Sequence, residues 1–149
     1  MNKMYLINLQ IKTEKGLRKG ERCCYMDDAD TDVNRLKTMV REFCEAREWD
    51  EFHCPKNLAA GLVTEASELL QIFRFKNDED VVEMMKDERY LTMIKDELSD
   101  VFYFVLRFAQ MNDIDLTSSL KEKLRKNDIR YPVEKSKGSN RKYDEPPPF

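Results

Sequence analysis

The stretch "TEASELLQIFRF", residues 64–75, combines the apolar pattern of a buried helix with two carboxylates. We take Glu65 as the origin of a helical wheel that advances about 100° per residue. Leu69 and Phe73 then fall at about 40° and 80°, and Glu68 falls at about 300°. Glu65 therefore lies inside the apolar sector of the predicted helix and Glu68 lies at its edge, so neither acid is on the solvated side.

A second stretch, "KDELSDVFYFVLRF", residues 95–108, repeats this arrangement. With Glu97 as the origin, Val101 and Val105 fall at about 40° and 80°, and Asp100 falls at about 300°. Two helices are thus predicted to present an acid pair, E-x-x-E in one and E-x-x-D in the other, toward the same core.

The four acids would repel one another if the two helices met. A like-charge pair at 4 Å costs about 1 kcal/mol in water and several times more at a lower effective dielectric. A single E-x-x-E is usually a solvated helix face, but no Lys or Arg lies in the apolar sector of either helix. A hard divalent cation removes the repulsion, because Mg²⁺, or Mn²⁺ as the alternative, prefers carboxylate oxygens. The predicted metal ligands, which are also the predicted catalytic residues, are Glu65, Glu68, Glu97 and Asp100.

The composition favours a helical protein of one domain. The chain has 149 residues, of which 37% are charged and only four are Gly, and such a composition favours helix over sheet. The net charge of −3 gives no basic field for nucleic acid. No C-x-x-C pair accompanies the single histidine, so the usual zinc spacing is missing, and we interpret the four cysteines as reduced thiols of a cytoplasmic protein. The apolar run 4–9 is too short for a membrane span.

The helical period recurs in four segments. They are predicted as helices over about 32–48, 58–76, 88–111 and 115–127. Asn57 and Asp115 are the predicted N-caps of the second and fourth helices, and Pro132 is predicted to end the regular structure. We expect a weakly ordered extension over 1–29, a helical domain over 30–132 and a flexible polar tail over 133–149.

No glycine-rich loop is available to cradle phosphates. If the substrate is a nucleoside triphosphate, it could instead be held through the metal ion, which would polarise a phosphorus atom and orient a water for in-line attack. A carboxylate that does not bind the ion would accept the proton of that water, and the sequence leaves open which acid this is. Two further groups of residues flank the acid pairs.

Aromatic residues surround the second predicted helix. Trp49 and His53 precede it and Phe75 lies near its end. An aromatic side chain there would stack on a nucleobase, although core packing is the more common role for Phe75. For Trp49 the two interpretations have equal weight.

Polar residues follow the apolar stripe of the fourth predicted helix. Lys123 and Asn127 are four residues apart, and Arg130 and Tyr131 come next. Such groups suit phosphate binding, and ordinary charge at a helix C-terminus explains them equally well.

Three segments together resemble a known family. They are "REWDEFHCPKNLAAGLVTEASELLQIFRFK", "DELSDVFYFVLRFA" and "LKEKLRKNDIRYPVEKSKGSNRKY". Over about residues 33–143 the chain looks like the all-α nucleotide pyrophosphohydrolases of the MazG-like superfamily, and its features are most similar to the dCTP pyrophosphatase branch.

The resemblance implies a four-helix bundle that assembles as a homodimer or a dimer of dimers. It implies Mg²⁺-dependent hydrolysis of a deoxynucleoside triphosphate to the monophosphate and pyrophosphate, with the four acids as metal ligands. It also implies that Trp49 and His53 lie around the base and that the segment from Lys123 to Tyr131 lies near the phosphates.

Three positions depart from the dCTP branch or from some of its relatives. Phe75 replaces a Trp, Phe104 replaces a Tyr and so lacks its hydroxyl, and Val40 replaces a histidine. Because these positions border base and sugar, the nucleobase stays open: dCTP or a modified dCTP is expected, with dUTP or another nucleotide as the alternative. The other class of function is a non-catalytic helical interaction module whose acids only solvate a groove.

Overall fold

The computed structural model describes residues 27–144, and within them every regular element is helical. Four long helices are joined by short ones. In chain order they are α1 (Val33–Glu45), a 3₁₀ turn (Asp50–Phe52), α2 (Pro55–Phe73), α3 (Asp78–Met84), α4 (Glu88–Met111), α5 (Leu116–Arg130) and α6 (Val133–Ser136). The all-α prediction is confirmed. The predicted extension lies outside the described residues except for 27–29.

The cap residues explain where several helices begin. Asp32 accepts a hydrogen bond from the Arg35 amide at 2.7 Å, and Asp115 accepts one from the Ser118 amide at 2.6 Å. Each bond satisfies an amide that has no partner within its helix. The predicted bounds of α4 agree with the structure, and α5 runs three residues beyond the prediction.

The predicted start of α2 is wrong. The helix begins at Pro55 with Cys54 as its N-cap, so Asn57 lies inside the first turn and its side-chain amide donates to the Phe52 carbonyl at 2.9 Å. Proline suits the first helical position, because its ring fixes φ near the helical value and no amide partner is needed there. The same helix ends at Phe73, three residues earlier than predicted.

Two other predicted ends are also wrong. α1 ends at Glu45 instead of Glu48, and Glu48 adopts a left-handed φ of 56°, which a helix cannot continue. Pro132 does not end the regular structure, since it is the N-cap of the single-turn helix α6.

Helix α4 is the centre of the domain and packs against both α2 and α1. The side chains of Leu58 on α2, Cys44 on α1 and Leu106 on α4 are buried. The hydroxyl of Tyr103 lies 3.0 Å from the Cys44 sulfur, which ties α1 to α4. Burial, and then this contact, raise the pKa of Tyr103 well above its usual range.

Helix α5 leaves much of its apolar face uncovered. Leu120 and Leu124 are 59% and 53% exposed. They line a groove of about 430 Å³ together with Phe102 and Val105 of α4 and Val33 of α1.

None of the helices within residues 27–144 has the length and apolar character that a membrane span requires.

Candidate active site

The packing of α2 against α4 brings three of the predicted metal ligands together. Glu65, Glu68 and Glu97 each offer a carboxylate oxygen, and these oxygens lie within 4.8 Å of one another. The three-residue spacing in α2 places its two acids on neighbouring positions of one helix face. α4 supplies the third acid from the opposite side.

Asp100 lies outside this tight group but close to it. It is one helical turn beyond Glu97 and is exposed, and its charge acts on both Glu65 and Glu97. The structure therefore separates the predicted four-acid set into three clustered carboxylates and one neighbour.

The carboxylates perturb one another. Partial burial raises the pKa of Glu65, and the charges of Glu68, Asp100 and Glu97 raise it further. Partial burial and the charges of Glu68 and Asp100 also raise the pKa of Glu97. Within residues 27–144, no Lys or Arg forms an ion pair with any of these acids.

The cluster has the donor chemistry of a hard-cation site. It offers only carboxylate oxygens, from two rigid helices, with no nitrogen or sulfur ligand in the group. Mg²⁺ and Mn²⁺ bind such oxygens, whereas Zn²⁺ favours His and Cys. The residues present therefore fit Mg²⁺ or Mn²⁺.

The predicted base-binding residues Trp49 and His53 lie side by side around the 3₁₀ turn. Their ring centroids are 6.2 Å apart in an edge-to-face arrangement. Trp49 also meets Phe43 of α1 at 5.8 Å, and the Arg47 guanidinium lies 3.6 Å from the centre of the Phe43 ring. Trp49 is 38% exposed, so part of its indole is open to a ligand.

Arg107 is a buried cation that the sequence prediction missed. Its side chain is fully buried on α4, and its Nε donates to Nδ1 of His53 at 2.9 Å. Its terminal nitrogens donate to carboxylate and amide oxygens of Asp50 and Gln110. The helical wheel showed only that no Lys or Arg lies in the apolar sector of either helix that carries an acid pair. The loop that covers Arg107 comes from a distant part of the chain, which a helical wheel does not include.

Phe104 and Phe75 occupy different environments. The edge of the Phe104 ring lies against Gly61 of α2, and the ring meets that of Tyr103 at 5.2 Å. Phe75 is 90% exposed, has a left-handed φ of 62° and lies with its ring centre 4.6 Å from the Arg74 guanidinium. Phe104 is thus part of the contact between α2 and α4, whereas Phe75 projects into solvent.

The predicted phosphate-binding residues lie along α5 and just after it. The Tyr131 amide donates to the Asn127 carbonyl at 2.7 Å. Arg130 and Tyr131 both meet the Tyr143 ring, with separations of 5.3 and 5.6 Å, and Lys123 is exposed. No hydrogen bond or ion pair of the described residues joins these four to the acid cluster.

Comparison with known proteins identifies relatives of this chain. The model of the MazG-like family matches residues 62–145. The chain is 35% identical over 116 residues to a Bos taurus protein named dCTP pyrophosphatase 1, a match that covers 78% of this chain and 67% of the relative. It is 34% identical to the Homo sapiens protein of the same name, and that match covers 78% of this chain and 66% of the relative.

A solved structure is also similar. The crystal structure of a pyrophosphatase from Archaeoglobus fulgidus superimposes with a TM-score of 0.61 at 33% identity, over 67% of this chain and 92% of that one. The chain spans about two thirds of the length of the curated relatives that it matches. The family model, the curated relatives and the solved structure agree, and the chain belongs to the MazG-like family.

Proposed function

We propose that this chain catalyses the Mg²⁺-dependent hydrolysis of a deoxynucleoside triphosphate, dCTP or a modified dCTP, to the monophosphate and pyrophosphate. The observation that carries the proposal is the cluster of Glu65, Glu68 and Glu97, whose oxygens lie within 4.8 Å of one another. Carboxylates held this close without a cationic side chain repel one another, and a bound divalent cation would offset that repulsion.

The general class of the activity follows from the family. The chain is a nucleoside triphosphate pyrophosphohydrolase of the MazG-like family. The choice of dCTP is supported by the curated relatives, which are named dCTP pyrophosphatase 1. The alternative substrate is dUTP or another nucleoside triphosphate, because Phe75 and Phe104 depart from the aromatic residues that the resemblance associates with the dCTP branch.

Each part of the site has a chemical task. Glu65, Glu68 and Glu97 hold the divalent ion. Asp100 is either the fourth ligand or an acid that lies next to the ion without binding it. When bound, the ion supplies electrostatic stabilisation of the phosphate charge. A cluster carboxylate outside the ligand set accepts a proton from the attacking water. The raised pKa values of Glu65 and Glu97 show that two of these acids take up protons more readily than an isolated glutamate.

The exposed part of Trp49 and the neighbouring His53 form the proposed base site. An indole face stacks on a pyrimidine without selecting it, so hydrogen bonds from the ring of His53 supply selectivity. Phe75 is a further stacking candidate because its ring is exposed. Lys123, Asn127, Arg130 and Tyr131 form the proposed phosphate-binding segment.

We propose a homodimer, alone or paired into a tetramer, in which the groove beside α5 is covered by a second copy of the chain. Leu120 and Leu124 expose more than half of their side chains, and the groove continues onto α4 and α1. Apolar surface of this kind is stabilised by association.

Pyrophosphate release from a panel of deoxynucleoside triphosphates tests the function. We expect turnover with Mg²⁺ or Mn²⁺, none with EDTA, and a preference for dCTP or an analogue modified on the base. Glu68→Gln should abolish turnover, whereas the control Glu79→Gln, an exposed acid on α3, should preserve it. A protein that releases no pyrophosphate from any of these nucleotides with either ion would contradict the proposal.

A further inference from the structure

Arg107 is the only fully buried charged side chain among residues 27–144. It lies on α4, and two of its three partners, His53 and Asp50, come from the loop that leads into α2. Burying a guanidinium is costly unless several hydrogen bonds compensate for the lost hydration. All three nitrogens of this side chain are engaged, so the site is a built network and not a chance contact.

The geometry fixes the protonation pattern of the His53 ring. The Arg107 Nε–H is a donor at 2.9 Å from Nδ1, and arginine has no acceptor atom. Nδ1 must therefore carry a lone pair, and in a neutral imidazole the proton then resides on Nε2. No residue of the described chain forms a hydrogen bond with Nε2, so its N–H is available to a ligand beside Trp49.

We propose that Arg107 is a positioning residue: it holds His53 as the neutral Nε2–H tautomer and anchors the Trp49–Cys54 loop on α4, so that His53 meets the substrate as a hydrogen-bond donor. This inference rests on the proposed function for the identity of the substrate. The matching group on the ligand is an acceptor at the edge of a nucleobase, such as a ring carbonyl oxygen or an unprotonated ring nitrogen.

The electrostatics agree with this geometry. Burial lowers the pKa of His53, the charge of Arg107 lowers it further, and the charge of Asp50 raises it. The charged groups that face the ring are Arg107 from α4 and Asp50 from the 3₁₀ turn, and they act in opposite directions. The two residues therefore make opposite, testable contributions to the same imidazole.

The chain contains one histidine, so the imidazole ¹⁵N signals of this 149-residue chain without a tag belong to His53 alone. In the wild type we expect an acceptor-type Nδ1 and a protonated Nε2. Arg107→Met should mix the two tautomers and raise the pKa of His53. Arg107→Lys keeps the charge but loses the planar set of donors. It should therefore return the pKa of His53 toward the wild-type value more completely than it returns the wild-type tautomer. An unchanged tautomer in Arg107→Met overturns the proposal.

Asp50→Asn is the second test variant, and it tests the proposal on its own if Arg107→Met does not fold. Loss of the carboxylate charge should lower the pKa of His53, whereas simple loosening of the loop would raise it by hydrating the ring. A pKa that rises or stays the same in Asp50→Asn overturns the proposal.

Kinetics supply the third arm. Arg107→Met should raise KM by about tenfold, the loss expected for one hydrogen bond to the substrate, with little change in kcat. In a His53→Ala background the same substitution should add no further rise in KM. An additional rise there means that Arg107 acts independently of His53, which overturns the proposal. The NMR measurements need no substrate. A wild-type protein without hydrolytic activity would therefore contradict the proposed function, while the NMR measurements would still test the role of Arg107.

Discussion

The edge of the Phe104 ring occupies the space that a side chain at position 61 would fill. A Cβ built on Gly61 would lie 2.3 Å from Cε1 of Phe104, closer than two carbon atoms approach without repulsion. Gly61 is one turn before Glu65 on α2, and Phe104 is one turn after Asp100 on α4. The close approach of the two helices therefore lies next to the acid cluster.

Gly61→Ala should destabilise the domain by about 1–2 kcal/mol, because overpacking exceeds the gain in helix propensity of up to about 1 kcal/mol. Urea unfolding measures the change. Adding Phe104→Leu to the Gly61→Ala protein should recover most of the lost stability, since it removes the ring edge that meets the new methyl group. A Gly61→Ala protein as stable as the wild type would mean that the ring moves aside without cost.

Magnesium should raise the midpoint of thermal unfolding. A ligand that binds only the native state at one hundred times its Kd stabilises it by about 2.7 kcal/mol, which corresponds to about 5–10 °C for a chain of this size. Glu65→Gln should remove most of this rise, whereas Glu79→Gln should leave it intact. Differential scanning calorimetry with Mg²⁺ and with EDTA provides the measurement.

The same experiment separates the two classes of function. If the acids only solvate a groove, Glu65→Leu should stabilise the protein equally with and without Mg²⁺. If they hold an ion, Glu65→Leu should stabilise only the metal-free protein, because the repulsion is then relieved without the loss of a ligand. Equal midpoints with Mg²⁺ and EDTA for the wild type would contradict the metal site.

The affinity for Mg²⁺ should fall as the pH decreases through the raised pKa values of Glu65 and Glu97, because protons compete with the ion for the carboxylates. In the metal-free protein the relevant quantity is the stability of the fold, and it decreases as the pH rises. A carboxyl whose pKa is raised in the folded state binds more protons there than in the unfolded chain, so its contribution to stability decreases as the pH rises between the unfolded and folded pKa values.

Titration calorimetry of Mg²⁺ binding checks the first statement and urea unfolding of the metal-free protein checks the second, both between about pH 4 and pH 8, a range that begins near the ordinary pKa of glutamate. Glu65→Gln should flatten the pH dependence of stability in the metal-free protein. A Mg²⁺ affinity that does not change over this range would contradict the pKa shifts of the cluster.

Phe75→Gly should stabilise the domain by about 1 kcal/mol, because glycine adopts the left-handed φ of 62° without the steric cost that an L side chain carries there. The same change should raise KM, because the exposed ring would no longer stack on the base. Phe75→Ala is the matched control: it removes the ring and keeps the backbone cost. A marked loss of stability in Phe75→Gly would show that the ring packs against another surface.

Charge on the α5 face should disrupt the proposed assembly. Leu120→Glu or Leu124→Glu should convert the protein to a monomer in sedimentation equilibrium, because a carboxylate would have to be buried in an apolar contact. Ser119→Glu, on the same helix but outside the groove lining, is the control and should leave the mass unchanged. A wild-type protein that is already monomeric at micromolar concentration would contradict the assembly.

The sequence determined the features that depend on neighbours within one helix. The apolar period located four long helices, and Asp115 marked the start of one of them, because capping is a local hydrogen bond. The spacing of the acids in α2 and in α4 likewise follows from the geometry of a single helix.

Only the tertiary structure decided how these helices meet. It placed Glu97 beside Glu65 and Glu68 and left Asp100 outside the tight group, because the distance between carboxylates on two helices depends on how closely Gly61 lets the helices approach. It also buried Arg107 under a loop that begins more than fifty residues earlier in the chain, and it left Phe75 in solvent. These outcomes depend on contacts between distant residues, and a periodic pattern along one helix carries no information about them.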